Sequence, residues 1–232
     1  MKTRVVLALF LIAGVSLGDI QKRIINGRKC KAEEEKHFVF LETESTSLHK
    51  RSICSGSIIG NGQWVLTAKH CDAYGAPFTI KDVKNNKETS SKVFKHPVAD
   101  IMLIKLNAKK SAIALASPTD CTDVKNQLAS TKSVKMLVVA RDTKGTPDTT
   151  MCGDIELRGC AGEAPSGVEC FYGPPVGCQI CGGDSGAGYL YDNALYAVET
   201  GDGTIGSQSV DYGHTVCDAS VRQWIEDTMK KN

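Results

Sequence analysis

The sequence has no apolar run long enough to cross a membrane, no block of basic residues interleaved with aromatics, and no excess of either charge. A spanning helix needs about 20 apolar residues, and the longest apolar stretch, Val5 to Val15, is much shorter. A membrane partner is therefore not expected. The 28 Lys and Arg are nearly matched by 26 Asp and Glu, for a formal charge of +2, so nucleic acid is not an expected partner either. Aromatic residues make up only 6% of the chain, whereas glycine occurs 22 times. That balance suits a loop-rich β protein better than a helical bundle. No Asn-x-Ser/Thr acceptor occurs, so N-glycosylation is not expected. No acidic loop has the ligand spacing of a calcium site.

What is present begins with an export signal. Lys2 and Arg4 precede the apolar stretch, and Ser16-Leu17-Gly18 supplies small residues for a cut. Residues 1–18 therefore read as a signal peptide, and the mature protein as secreted and extracellular. Ten cysteines fit that compartment, since an even count in an exported chain reads as a disulfide framework. Zinc is the rival reading, because Cys178 and Cys181 have CxxC spacing. No second CxxC and no HxxxH-type pair completes a four-ligand site, so no metal and no cofactor is expected. Residues 19–23 end in Lys22-Arg23, ahead of Ile24-Ile25-Asn26-Gly27. Such a dibasic step reads as a propeptide processing site.

Short strands follow. Phe38 to Leu41, Ser57 to Ile59 and Trp64 to Thr67 are β-branched or aromatic runs, with the hairpin signal Asn61-Gly62 between the last two. More are expected at 93–94, 101–106, 136–140, 188–191 and 195–198. Helical spacing is convincing only at the end, where Asp218 can cap a segment with Val221, Trp224, Ile225, Thr228 and Met229 on one face. The fold class is all-β, a barrel or sandwich.

Three segments carry chemistry. Trp64-Val65-Leu66-Thr67-Ala68-Lys69-His70-Cys71 is a strand ending in a histidine. Ala99-Asp100-Ile101-Met102-Leu103-Ile104-Lys105-Leu106 is an aspartate opening an apolar strand. Cys181-Gly182-Gly183-Asp184-Ser185-Gly186-Ala187-Gly188 sets a serine in a glycine-rich turn. Singly, each has a bland account as a core histidine, a turn acid or a loop hydroxyl. Their order, His then Asp then Ser, is that of one known catalytic arrangement. The segments resemble the trypsin/chymotrypsin signatures Thr-Ala-Ala-His-Cys, Asp-Ile-Ala-Leu-Leu-Lys-Leu and Gly-Asp-Ser-Gly-Gly-Pro. Ile24-Ile25-Asn26-Gly27 resembles that family's activated N-terminus.

The resemblance spans essentially the whole mature chain. It implies two six-stranded antiparallel β-barrels of the chymotrypsin type with a C-terminal α-helix. The peptidase domain would be 24–232, with barrels at about 24–120 and 121–232. It implies a serine endopeptidase made as a zymogen, acting on protein or peptide substrates as a monomer. His70, Asp100 and Ser185 would be the triad, and the Gly183 and Ser185 amides the oxyanion hole. An activating protease would cut after Arg23, and the new Ile24 ammonium would pair with Asp184. Implied disulfides are Cys54–Cys71, Cys30–Cys152, Cys121–Cys217 and Cys160–Cys170, leaving Cys178 and Cys181, for which a local bridge is one option.

Departures concentrate at the substrate pocket, where the resemblance places Gln179, Thr200, Gly201, Asp202 and Gly213. Thr200 keeps a hydroxyl able to bond Asp100. Gly201 removes the family's tryptophan wall, and Gln179 stands at the floor where trypsin-like enzymes carry an aspartate. Asp202 or Asp211 could supply an acid from the side, or the pocket could take an uncharged side chain. Lys69, where alanine is usual, puts a cation next to His70, although its long stem can carry the charge outward. These changes leave a second reading open, a catalytically weak or inactive paralogue acting as a secreted binding protein.

Overall fold

The computed structural model describes residues 27–45, 47, 49–141, 149–160, 164–173 and 183–232. The signal peptide, Arg23, Ile24, Cys178, Gln179 and Cys181 lie outside the described residues. No described helix is long and apolar enough to cross a membrane.

Among the described residues, fourteen strands form two antiparallel sheets. The first holds β2 (Phe38–Ser45), β3 (Lys50–Ile59), β4 (Trp64–Ala68), β5 (Phe78–Asp82), β6 (Lys87–Ser90), β7 (Val93–Lys95) and β8 (Ile101–Lys105), in the order β6-β5-β2-β3-β4-β8-β7. The second holds β1 (Arg28–Lys29), β9 (Val134–Arg141), β10 (Thr150–Arg158), β11 (Val168–Tyr172), β12 (Gly188–Tyr191), β13 (Ala194–Ile205) and β14 (Gln208–Thr215). Its order is β1-β10-β11-β14-β13-β12-β9, and β9 also pairs with β10. Six strands thus close into a barrel, with β1 added outside.

The first sheet is a half-barrel rather than the closed six-stranded barrel expected. Its two edges, β6 and β7, are four and three residues long and are separated only by Ser91 and Lys92. Side-chain bonding substitutes for a ladder there, with Ser90 Oγ donating to the Lys105 carbonyl at 2.7 Å. Its core is Val39, Leu41, Ile58, Val65, Met102 and Ile104, on alternate positions of four adjacent strands. The residues between them, such as Phe38, Phe40 and Leu66, face a core shared with the second barrel. Both faces of these strands are covered, so they read as continuous apolar runs.

Disulfides join Cys30–Cys152, Cys54–Cys71, Cys121–Cys217 and Cys160–Cys170. The C-terminal helix α3 spans Ala219–Lys231 and is capped by Asp218, whose carboxylate accepts from the Ser220 and Val221 amides. It lies against the first sheet, where Trp224 meets His96 edge-on at 5.1 Å between ring centroids.

Two further helices correct the sequence reading. α1 is one turn, Ala32–Glu35, and α2 is a full helix, Pro118–Thr131. α2 escaped the periodicity argument because only Val124 on it is buried. A signal was nevertheless present. Ser117 and Asp120 form a capping box, and Pro118 sits at the first helical position.

Candidate active site

Antiparallel pairing of β4 with β8 sets Ala68 opposite Ile101. The turn leaving β4 and the residue entering β8 are therefore neighbours, although 30 positions separate them in sequence. A 3-10 turn, Lys69–Cys71, carries His70. Its backbone amide donates to Asp100 Oδ1 at 2.9 Å, and its ring Nδ1 lies 2.7 Å from Asp100 Oδ2. Both carboxylate oxygens thus hold the same residue. Burial works to raise the Asp100 pKa, but the hydrogen bonds and charge of His70 outweigh it and the field of His214 adds to them. The carboxyl is held below its ordinary value, so it is ionised at neutral pH.

Ser185 lies in a turn sewn to both sheets. The Ser55 amide donates to the Ser185 carbonyl at 2.8 Å, and Ser55 Oγ donates to the Gly183 carbonyl at 2.9 Å. From the other side, the Gly186 amide donates to the Glu199 carbonyl at 2.9 Å. Gly186 has φ +88°, and a Cβ there would fall 2.1 Å from the Ser55 carbonyl oxygen and 2.2 Å from Thr67 Oγ1. Only glycine permits that approach. Ser55 and Thr67 belong to β3 and β4, so the strand that delivers His70 also fixes the serine turn. The Cys54 and Cys71 sulfurs lie within 4.8 Å of a His70 ring nitrogen, but they are joined to each other and offer no thiolate to a metal.

Behind the serine turn lies a group of acids. Asp184, Glu199 and Asp211 are 2%, 3% and 1% exposed. Asp184 Oδ1 accepts from the Arg141 amide at 3.0 Å. Glu199 Oε2, Asp211 Oδ2 and the Tyr189 hydroxyl are buried without a hydrogen-bond partner among the described residues. Burial, then the charges of Asp202 and Asp184, push the Asp211 pKa up to about 8. Burial with Asp211 and Asp184 raises Glu199 well above the carboxylate range, and burial with all three acids raises Tyr189. Asp202 stands directly across the β13–β14 ladder from Asp211, a repulsive placement for two acids.

The pocket residues from the sequence reading are partly assembled here. Gly213 is buried, and a Cβ on it would meet Phe171 at 2.7 Å and Tyr189 at 3.0 Å, rings that stack 3.7 Å apart. Gly201 is half-buried beside open space, and Asp202 is exposed. Thr200 is the extra residue of a bulge between Glu199 and Gly201. Its hydroxyl does not bond Asp100 as expected. It lies 3.1 Å from His214 Nδ1 and 3.4 Å from the Tyr212 carbonyl. Lys69 turns away from the His70 ring, donating from Nζ to the His96 carbonyl at 3.2 Å. Sequence reasoning missed Glu199, Tyr189 and His214. An acid at position 199, directly after the apolar run Leu195 to Val198, was the available clue.

The paired histidine and aspartate and the serine turn are thus held by the same strands. The family model for trypsin matches residues 24–225, and the chain belongs to that family. Glandular kallikrein of Sus scrofa is 26% identical, with 92% of this chain and 98% of that protein covered. Kallikrein-7 of Homo sapiens is 26% identical over 90% of this chain and 88% of its own length. The platelet-aggregating proteinase PA-BJ of Bothrops jararaca is 28% identical over 78% and 83%. Among solved structures, neuropsin, a serine protease expressed in the limbic system of mouse brain, superposes with a TM-score of 0.65 at 18% identity. A structure of GrC superposes with a TM-score of 0.70 at 19% identity. Each comparison covers 88% of this chain and 99% of the other, and supports the fold.

Proposed function

We propose that the protein is a secreted serine endopeptidase, made as a zymogen, which cuts peptide bonds through His70, Asp100 and Ser185. The observation that carries this reading is the two-point grip of Asp100 on His70, at 2.9 and 2.7 Å. It fixes the ring with Nδ1–H toward the carboxylate and leaves Nε2 as the base. Ser185 Oγ attacks the scissile carbonyl as its proton passes to His70 Nε2, and the carbonyl electrons move onto oxygen. The Gly183 and Ser185 amides receive that oxyanion. His70 then returns the proton to the leaving amine as the C–N bond breaks. Water attacks the acyl-enzyme by the same route in reverse.

Cleavage after Arg23 would supply the Ile24 ammonium to Asp184, a buried carboxylate that gains from a cation. Glu199 and Asp211 are buried and hold their protons at neutral pH, so they offer no fixed charge to a cationic side chain, and Gln179 replaces the family's floor acid. No observation speaks specifically for the inactive paralogue.

The test is covalent labelling by a fluorophosphonate probe before and after cleavage at Arg23, with Ser185→Ala beside the wild type. Labelling that follows cleavage and vanishes in the variant supports both nucleophile and zymogen switch. A cleaved, folded protein that stays unlabelled overturns the peptidase reading.

A further inference from the structure

The near-neutral total charge of the chain hides an uneven distribution. Eight of the 28 basic residues but only three of the 26 acidic ones lie in 81–110, so the rest of the chain carries 20 basic and 23 acidic residues. All eight are lysines, and most fall on two segments sewn side by side at the β6 edge of the first sheet. Ser90 Oγ donates to the Lys105 carbonyl at 2.7 Å, and Asn107 Nδ2 donates to the Thr89 carbonyl at 3.1 Å. The Asn107 amide donates to Glu88 Oε1 at 2.8 Å, and Lys110 Nζ reaches Asp82 Oδ2 at 2.9 Å. Residues 105–110 therefore run back along 92–82, which sets Lys109 at the Lys84 and Lys87 end and leaves Lys92 at the other.

Both acids on this edge, Asp82 and Glu88, face Lys110, at 2.9 and 4.0 Å. Lys95 pairs with Asp72, and Lys105 lies over the Trp64 ring. Lys84, Lys87, Lys92 and Lys109 are exposed and form no ion pair among the described residues. Lys87 also stands directly across the β5–β6 ladder from Lys81, a repulsive placement that an external anion would relieve. From Lys87 to Lys92 the row is at most about 17 Å long, five extended residues. We infer that this edge binds a linear sulfated polysaccharide. The exposed side chains between the lysines decide the class: Asn85, Asn86, Thr89, Ser91 and Asn107 offer hydrogen-bond donors to sulfate and hydroxyl groups. No exposed aromatic ring stands among them to stack a base, and residues 81–110 contain no arginine to grip phosphate through two donors. The exposed large apolar side chains, Ile53 and Val98, lie outside both segments, so a lipid surface would meet charge without an apolar anchor.

This inference is independent of the proposed triad, and its test uses the uncleaved full chain with heparin as the probe. Titration calorimetry across about 0.05–0.3 M salt should show affinity falling with a log–log slope of roughly three to four, the release expected for four lysine contacts. Lys84→Gln, Lys87→Gln, Lys92→Gln and Lys109→Gln together should weaken binding by roughly tenfold or more at about 0.15 M salt and flatten that slope. A control carrying Lys29→Gln, Lys125→Gln, Lys132→Gln and Lys135→Gln makes the same change of net charge on or beside the second sheet. It should bind within about twofold of the wild type, because salt screens charges that lie beyond the contact. All the replaced side chains are exposed, so both variants should keep the wild-type thermal midpoint.

Wild-type protein that ignores heparin even at the lowest salt overturns the inference, as does wild-type affinity in the first variant. Equal weakening in both variants also overturns it, by reducing the effect to net charge. Tighter binding to duplex DNA, to polyglutamate or to phosphatidylserine vesicles than to heparin would hand the surface to another class of partner. Fluorophosphonate labelling after cleavage at Arg23 should be the same in the first variant as in the wild type. Heparin binding in a protein that no probe labels would sink the peptidase reading alone, and labelling without heparin binding would sink only this inference.

Discussion

Asp100 and Asp211 are the same residue type in one molecule, and their surroundings drive them in opposite directions. Asp100 is half-exposed at the cleft, where His70 supplies two donors and the carboxyl is held below its ordinary value. Asp211 is fully buried, one of its oxygens has no partner among the described residues, and its pKa rises to about 8. Burial penalises both charges. What separates them is depth, the largest cause of the Asp211 shift, together with whether donors are aimed at the carboxylate.

Four substitutions test this contrast. Asp100→Asn should have the largest effect, cutting the acylation rate about 10⁴-fold by releasing the His70 tautomer. Its thermal midpoint should change little, and a drop of only a few-fold in rate would remove Asp100 from the proposed mechanism. Gly186→Ala tests the joint between the two regions, because the new methyl collides with backbone at a positive φ. Urea denaturation should read a loss of about 3 kcal/mol or more.

Asp211→Asn comes next. The folded-state pKa of Asp211 is raised, so its contribution to stability is full at low pH and is lost as pH rises from about 4, the ordinary carboxylate value, to about 8. The amide cannot ionise, so the variant should match the wild type near pH 4 and gain on it by up to about 1.4 kcal/mol per pH unit, reaching several kcal/mol by pH 8. For Asp100, whose pKa is lowered, the sign reverses, and its stabilisation is present above the carboxylate range and lost on acidification. Lys69→Ala should have the smallest effect, under about 1 kcal/mol by thermal melt, since Nζ reaches the neutral His96 and Val98 carbonyls rather than a charged partner.

The legible parts of the fold were those written in short, contiguous patterns. Strands β2, β4, β8 and β12 alternate or run apolar, and α3 carries both cap and stripe. β10 and β14 escaped because polar and glycine residues interrupt them, and their identity comes from pairing with strands far away in sequence. α2 escaped because its support is a cap rather than an apolar face. At the site, the segments bearing His70, Asp100 and Ser185 stood out because each sets its chemical residue within a few positions of a strand or a glycine turn. Nothing in the neighbourhood of Thr200 announced that a bulge would hand its hydroxyl to His214.

The sequence by itself determined the residue types available to the site, their order along the chain, the cysteine complement and the strand-rich class of the fold. Tertiary structure decided which carboxylates receive donors, which barrel closes, and which side chain takes the Thr200 hydroxyl. The physical reason is range: side-chain chemistry and turn propensity act over a few residues, whereas solvation and Coulomb interaction depend on neighbours that only folding brings together.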